Sequence, residues 1–163
     1  MKKVGIIMGS DSDLPIIQKT VDMLRSLNIE FEVHIYSAHR TPVEARDFAL
    51  SARSKGFGVL ICAAGMAAHL AGAIAANTTL PVIGIPCKGP VLDGMDALLS
   101  TVQMPTGIPV ATVAVNGGAN AALLAAQILA VEDADLAAKL DAKRKADAEA
   151  VLAKDAGILE RLQ

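Results

Sequence analysis

Five short apolar runs recur along this chain of 163 residues, and a helix-periodic stretch follows each one. The runs are KKVGIIMG (2–9), EFEVHIYS (30–37), GVLICAAG (58–65), PVIGIPC (81–87) and VATVAVN (110–116). Strands buried on both faces of a parallel sheet read as continuous apolar runs, and the crossovers between them are usually helices. The intervening patterns predict helices over 14–28, 42–56, 67–78, 93–104 and 117–131. Pro42 falls at a helical first turn and Gly56 at a helical end, the places those residues favour.

The second run differs from the rest because it alternates strictly. Phe31, Val33 and Ile35 point one way, and Glu32, His34 and Tyr36 the other. One polar face marks an edge strand, and His34, among glutamates, is expected to be exposed. With right-handed crossovers, these features predict a flavodoxin-like, doubly wound parallel α/β sheet of strand order 2-1-3-4-5.

The length suits one domain. At 53% hydrophobic and only 2% aromatic, the core must be built of Ala, Val, Ile and Leu. Small side chains let elements pack closely and let backbone approach a ligand. Residues 1–131 carry nine basic and nine acidic side chains, and 132–163 carry six and eight. A net charge of −2 gives no basic surface for nucleic acid or an anionic membrane. Cys62 and Cys87 sit in apolar runs and read as buried, reduced thiols of a cytoplasmic protein. No signal peptide or membrane-spanning stretch is evident.

Residues 1–131 are expected to form the catalytic domain and 132–163 a helical extension. The charged, Ala-rich pattern over 133–156 carries Leu136, Leu140, Val151 and Leu152. As one helix it would be about 36 Å long. A body of this size has a radius of gyration of ~14 Å, hence a diameter comparable with that helix. The extension is either a solvated surface helix or, as favoured here, a packing surface for neighbouring subunits, with Leu159 and Leu162 also in need of cover.

In an open parallel sheet, ligands bind beyond the carboxyl ends of the strands, near the switch in strand order. The loops there read GSDSD (9–13), SAHRTP (37–42) and AAGMAAH (63–69). Gly9 permits a tight turn and a close approach. Amides opening the next helix attract an anion, and serine hydroxyls donate to phosphate. Asp13 would repel phosphate but suits a ribose diol, which offers donors. Capping is the plainer explanation for this stretch, and it is preferred for Asp11. Arg40 matches a phosphate bidentately, and histidine, the residue at position 39, is the side chain suited to carrying protons near neutral pH. His69, expected in a helical first turn, is either a structural histidine or part of the site. Nothing has zinc-ligand spacing, and no dinucleotide or triphosphate fingerprint follows the first strand. Cys87 ends the fourth strand without an adjacent base. The residues alone therefore point to a ribosyl monophosphate ligand, a histidine proton carrier and a small apolar pocket.

In MGSDSD, YSAHRTP, AAGMAAHLAG, LPVIGIP and STVQMPTGIPVATVAVNGGANAALLAAQIL, in order over residues 4–131, the chain resembles the PurE family of de novo purine biosynthesis. The resemblance is most specific in SAHRTP and QMPTGIPV. It implies a flavodoxin-like octamer whose last helix reaches neighbouring subunits, with no metal and no organic cofactor. It implies a mutase reaction, moving carboxylate from the exocyclic nitrogen of 5-(carboxyamino)imidazole ribonucleotide to ring carbon 4. His39 would be the catalytic acid/base. Ser10, Asp13 and Arg40 would bind substrate, with Ser12, Ser37, Gly65, Ala67 and His69 at further active-site positions. The family often has paired glycines after the third strand and a proline after His-Leu; Met66 and Ala71 stand there instead. A second branch carboxylates aminoimidazole ribonucleotide directly and usually has Lys after the His, whereas Arg40 follows His39 here. A non-catalytic nucleotide sensor is the alternative outside catalysis.

Overall fold

The computed structural model describes residues 2–158 and Leu162. Strands β1 (Lys3–Met8), β2 (Phe31–Ile35), β3 (Phe57–Gly65), β4 (Val82–Cys87) and β5 (Ala111–Thr112) alternate with helices α1 (Leu14–Ser26), α2 (Pro42–Ala52), α3 (Leu70–Ala75), α4 (Met95–Val102) and α5 (Gly118–Ala130). A last helix, α6, spans Ala134–Ala156. The strands form one parallel sheet in the order β2-β1-β3-β4-β5. That is the expected winding, with the switch at β1 and β3.

The pleat divides the core into two layers. Val4, Ile6, Val59, Ile61, Ile83 and Ile85 point to the side covered by α1 and α5. Ile7, Leu60, Cys62 and Val82 point to the side covered by α2 and α3. On the first side α1 and α5 pack almost backbone to backbone. A methyl group on Gly118 would come within 2.3 Å of the Ile16 carbonyl oxygen, and Thr20 Oγ1 donates to the Gly118 carbonyl at 2.9 Å. Helix α1 ends as its sequence dictates: Asn28 takes a left-handed conformation (φ +57°) and Ile29 N donates back to the Leu24 carbonyl at 3.0 Å, a common way of closing a helix.

Five expectations are corrected. Strand β5 is only two residues long, not 110–116. After Gly84, whose carbonyl accepts from Val113 N, the next residue of β4 to bond toward β5 is Pro86, whose carbonyl accepts from Asn116 N at 2.9 Å but whose nitrogen has no proton to give. Helix α3 begins at Leu70 rather than 67, and α4 at Met95, after a single 3-10 turn over Leu92–Gly94. His34 is not simply exposed. Its ring stacks on Tyr36 at 5.0 Å between centroids and lies tilted on Phe48 of α2, so α2 covers what looked like a solvent face. Ile35, expected to share the covered face with Phe31 and Val33, is 52% exposed at the end of the edge strand.

Asp133 Oδ1 accepts from Leu136 N at 2.9 Å and caps α6. Leu136 and Leu140 join the core beneath α5, while Val151, Leu152 and Leu162 stand exposed. Leu159 lies outside the described residues. Among the described residues no helix is long and apolar enough to cross a membrane.

Candidate active site

The carboxyl ends of β1, β2, β3 and β4 surround a cavity of about 710 Å³, within the range of small-ligand sites. The nine residues expected at the site line it: Ser10, Ser12 and Asp13 after β1, Ser37, His39 and Arg40 after β2, and Gly65, Ala67 and His69 after β3.

After β1 the chain makes one 3-10 turn, Asp11–Asp13, before entering α1. Ser10, in extended conformation, caps that turn: its Oγ accepts from Ser12 N at 3.3 Å and donates to Asp11 Oδ1 at 3.1 Å. The capping role expected of Asp11 therefore belongs to Ser10, because only the residue before the turn has the extended backbone a cap needs. Asp13 makes no cap hydrogen bond, yet it is only 8% exposed. Burial pushes its carboxyl above the ordinary value, opposed by hydrogen bonds from the Cys87 thiol and the Ser10 backbone; the charge of Asp11 raises it further.

The loop after β2 is braced from within. Thr41 N donates to the Ser37 carbonyl at 2.9 Å, and Ser37 N donates to Thr41 Oγ1 at 2.8 Å. Ser37 Oγ accepts from the backbone N–H groups of both His39 (3.3 Å) and Arg40 (3.2 Å). Its lone pairs hold the loop, and only its O–H remains for a ligand. The brace presents His39 and Arg40, both exposed. Arg40 Nη2 donates to the Gly9 carbonyl at 3.0 Å, leaving the rest of its guanidinium fork open.

The wall after β3 is apolar: Ala64, Gly65, Ala67 and Ala68 line it. His69 is the residue before α3, not part of its first turn, because Ala68 N and His69 N bond to carbonyls two residues back. Its ring lies over Gly72, where a methyl group would come within 2.5 Å of Cε1. Ala71 is buried in α3 and does not line the cavity.

The loop after β4 was missed by reasoning from the first three loops alone. Gly65 pairs with Cys87 in the sheet, so Cys87, Lys88, Gly89 and Pro90 reach the same rim. The adjacency of β3 and β4 was the available signal. Burial, then the charge of Asp13, pushes the Cys87 thiol up to about 12. It stays protonated near neutral pH and is not a nucleophile. Among the described residues, no group of three or more His, Cys, Asp or Glu is gathered as metal ligands are.

A doubly wound sheet with a polar, histidine-bearing cavity at its switch point is the layout of a small-molecule enzyme. Residues 3–150 match the family model described as AIR carboxylase, and the chain belongs to that family. It is 52% identical over 151 residues to the N5-carboxyaminoimidazole ribonucleotide mutase of Bacillus subtilis, covering 91% of this chain and 93% of that one. It is 53% identical over 138 residues to the phosphoribosylaminoimidazole carboxylase of Saccharomyces cerevisiae, but that match spans 24% of the yeast chain. Among solved structures, Treponema denticola PurE superposes with a TM-score of 0.84 at 28% identity, over 94% of this chain and 96% of that one.

Proposed function

We propose that this chain is an N5-carboxyaminoimidazole ribonucleotide mutase, an isomerase of purine biosynthesis. The observation that carries the reading is the convergence in one cavity of a histidine and an arginine on one loop, a buried carboxylate on a second and an apolar wall on a third. Near-complete matches to relatives bearing the mutase name support it. The carboxylase name belongs to a chain of which this one covers about a quarter, and Arg40 after His39 favours the mutase.

In this reading Ser10, Ser12 and Arg40 hold the phosphate, the free part of the Arg40 fork giving charge-assisted hydrogen bonds. Asp13 accepts from the ribose hydroxyls. Gly65 and Ala67 flank the carboxyl group, Ser37 positions the His39 loop, and His69 orients the ring. Protonated His39 gives a proton to the exocyclic nitrogen as the nitrogen–carboxyl bond breaks, leaving aminoimidazole ribonucleotide and carbon dioxide. Ring carbon 4 attacks that carbon dioxide, and the proton on carbon 4 returns to His39. The wall of small apolar residues favours neutral carbon dioxide over carboxylate and excludes water. Acid–base help of this kind is worth roughly 10²–10⁴-fold, and holding the two fragments together supplies much of the rest. No metal or organic cofactor takes part. The enzyme works in the cytoplasm as a homo-oligomer, an octamer, for which the exposed Leu92, Met95 and Leu99 and the distal half of α6 are the available surfaces.

Substrate labelled in its carboxyl group and turned over in unlabelled bicarbonate tests the reaction. The label is expected to remain in the product; washout to the bicarbonate level would make the enzyme a direct carboxylase.

A further inference from the structure

The ligand of the proposed function carries a negative charge at each end, phosphate on the ribose and carboxyl on the ring. Among the described residues, two lysine or arginine side chains line the cavity, Arg40 and Lys88. They stand on opposite sides of it. Arg40 follows β2, at the edge of the sheet, and Lys88 follows β4, with β1 and β3 between those strands. Arg40 reaches the loop after β1 through the Gly9 carbonyl. Lys88 sits just beyond the pairing of Gly65 with Cys87, so it borders the apolar wall against which the carboxyl group is placed.

The backbone of Lys88 is held and its side chain is not. Lys88 N donates to Asn116 Oδ1 at 2.8 Å, and a methyl group on Gly94 would stand 3.1 Å from Lys88 Cα. Beyond that fixed point the ammonium, on a flexible four-carbon stem, meets Asp93 Oδ1 at 3.0 Å. Both side chains are exposed, and an ion pair of that kind is worth little. Asp93 is the middle one of three successive left-handed residues, Leu92, Asp93 and Gly94 (φ +56°, +52° and +94°), a costly conformation for the first two. The turn thus keeps a carboxylate within reach of Lys88 on a residue that does not itself line the cavity.

We propose that Lys88 is a specificity-determining residue that leaves Asp93 to bind the carboxyl group of the ribonucleotide, at the end of the cavity opposite Arg40. This rests on the mutase reading. The carboxyl group is anionic on nitrogen in the substrate and on carbon in the product, so one ammonium serves both. Carbon dioxide between them is uncharged and gains nothing from it. A contact made alike to substrate and product acts on affinity rather than on the transfer step. It separates carboxylated from uncarboxylated ribonucleotide, and the transfer itself does not require it.

Calorimetry uses the carboxylated product and aminoimidazole ribonucleotide, which differ only in the carboxyl group, on wild type, Lys88→Met and Asp93→Asn. Methionine keeps the bulk of the stem without the charge, and asparagine suits a left-handed backbone. Lys88→Met is expected to bind the product roughly tenfold more weakly, the lower end for a hydrogen bond to a charged group, and aminoimidazole ribonucleotide as wild type does. Asp93→Asn releases the ammonium and is expected to bind the product more tightly, with aminoimidazole ribonucleotide again unchanged. That unchanged ligand shows the fold of each variant to be intact. A wild-type ratio of the two affinities in Lys88→Met, or an equal loss for both ligands, would overturn the proposal. The mutase reading is followed separately, by turnover of the carboxyamino ribonucleotide in wild type. It stands if that turnover proceeds, whatever Lys88→Met does; no turnover in wild type would overturn the reading and the proposal with it.

Discussion

Arg40 reaches across the rim to the carbonyl of Gly9, 3.0 Å away, and so ties the loop that carries His39 to the loop that carries Ser10 and Asp13. Arg40 also lines the cavity. Arg40→Ala is expected to weaken ribonucleotide binding by about 1.5–3 kcal/mol, the worth of a hydrogen bond to a charged group. Calorimetry with nucleotide and nucleoside should show the preference for the phosphorylated ligand collapse. A mutant that keeps the full preference would place the phosphate on another residue.

Asp13 gives a pH dependence of definite sign. Burial raises its carboxyl above the ordinary 3.8, so the folded state holds this proton more tightly than the unfolded chain does. Its contribution to stability is complete below 3.8 and is lost as pH rises through the raised value. Near neutral pH the ionised, buried carboxylate is therefore a cost. Asp13→Asn should melt above wild type at pH 7, the gap closing in acid, while nucleotide binding falls. Thermal melts across pH check this; a mutant less stable than wild type at pH 7 would contradict it.

Gly72 is the seat of His69. A methyl group there would lie 2.5 Å from Cε1 and 3.0 Å from both ring nitrogens, so the ring must move. Within α3, alanine is the better helix former by ~1 kcal/mol. Gly72→Ala should therefore keep its melting temperature and lose turnover. Unchanged turnover would remove His69 from the working site.

For His39 the expected signature is a split between binding and rate. His39→Asn keeps part of the hydrogen bonding but cannot carry the proton. Turnover should fall at least ~10²-fold, the lower end for an acid/base group. Affinity should change little, because Ser10, Asp13 and Arg40 remain. Near-normal turnover would move the role to His69, and lost binding with normal saturated turnover would make His39 a ligand contact.

The sheet order was legible because it rests on patterns a strand cannot hide: four continuous apolar runs and one alternating run. The site was legible for a related reason, since a parallel sheet sends every strand end to one rim. What escaped depends on partners remote in sequence. His34 looked exposed because Phe48, which covers it, lies on α2. The fifth strand looked longer because the residue that stops its ladder, Pro86, is on β4. Lys88, Gly89 and Pro90 carried a rim signal only through the pairing of β4 with β3. The left-handed backbone of Met66 (φ +57°) is not advertised by methionine itself; its one trace is the glycine that the resembled family often carries at that place.

The most direct test of the central claim is the initial rate of product formation from two starting points as bicarbonate is varied. One arm supplies the carboxyamino ribonucleotide, the other aminoimidazole ribonucleotide with bicarbonate. The account predicts a rate from the carboxyamino substrate that is independent of bicarbonate and persists when none is added, with the second arm far slower at low bicarbonate. A rate that appears only with bicarbonate, and rises with it in both arms alike, would contradict the transfer of carboxylate from nitrogen to carbon within this cavity.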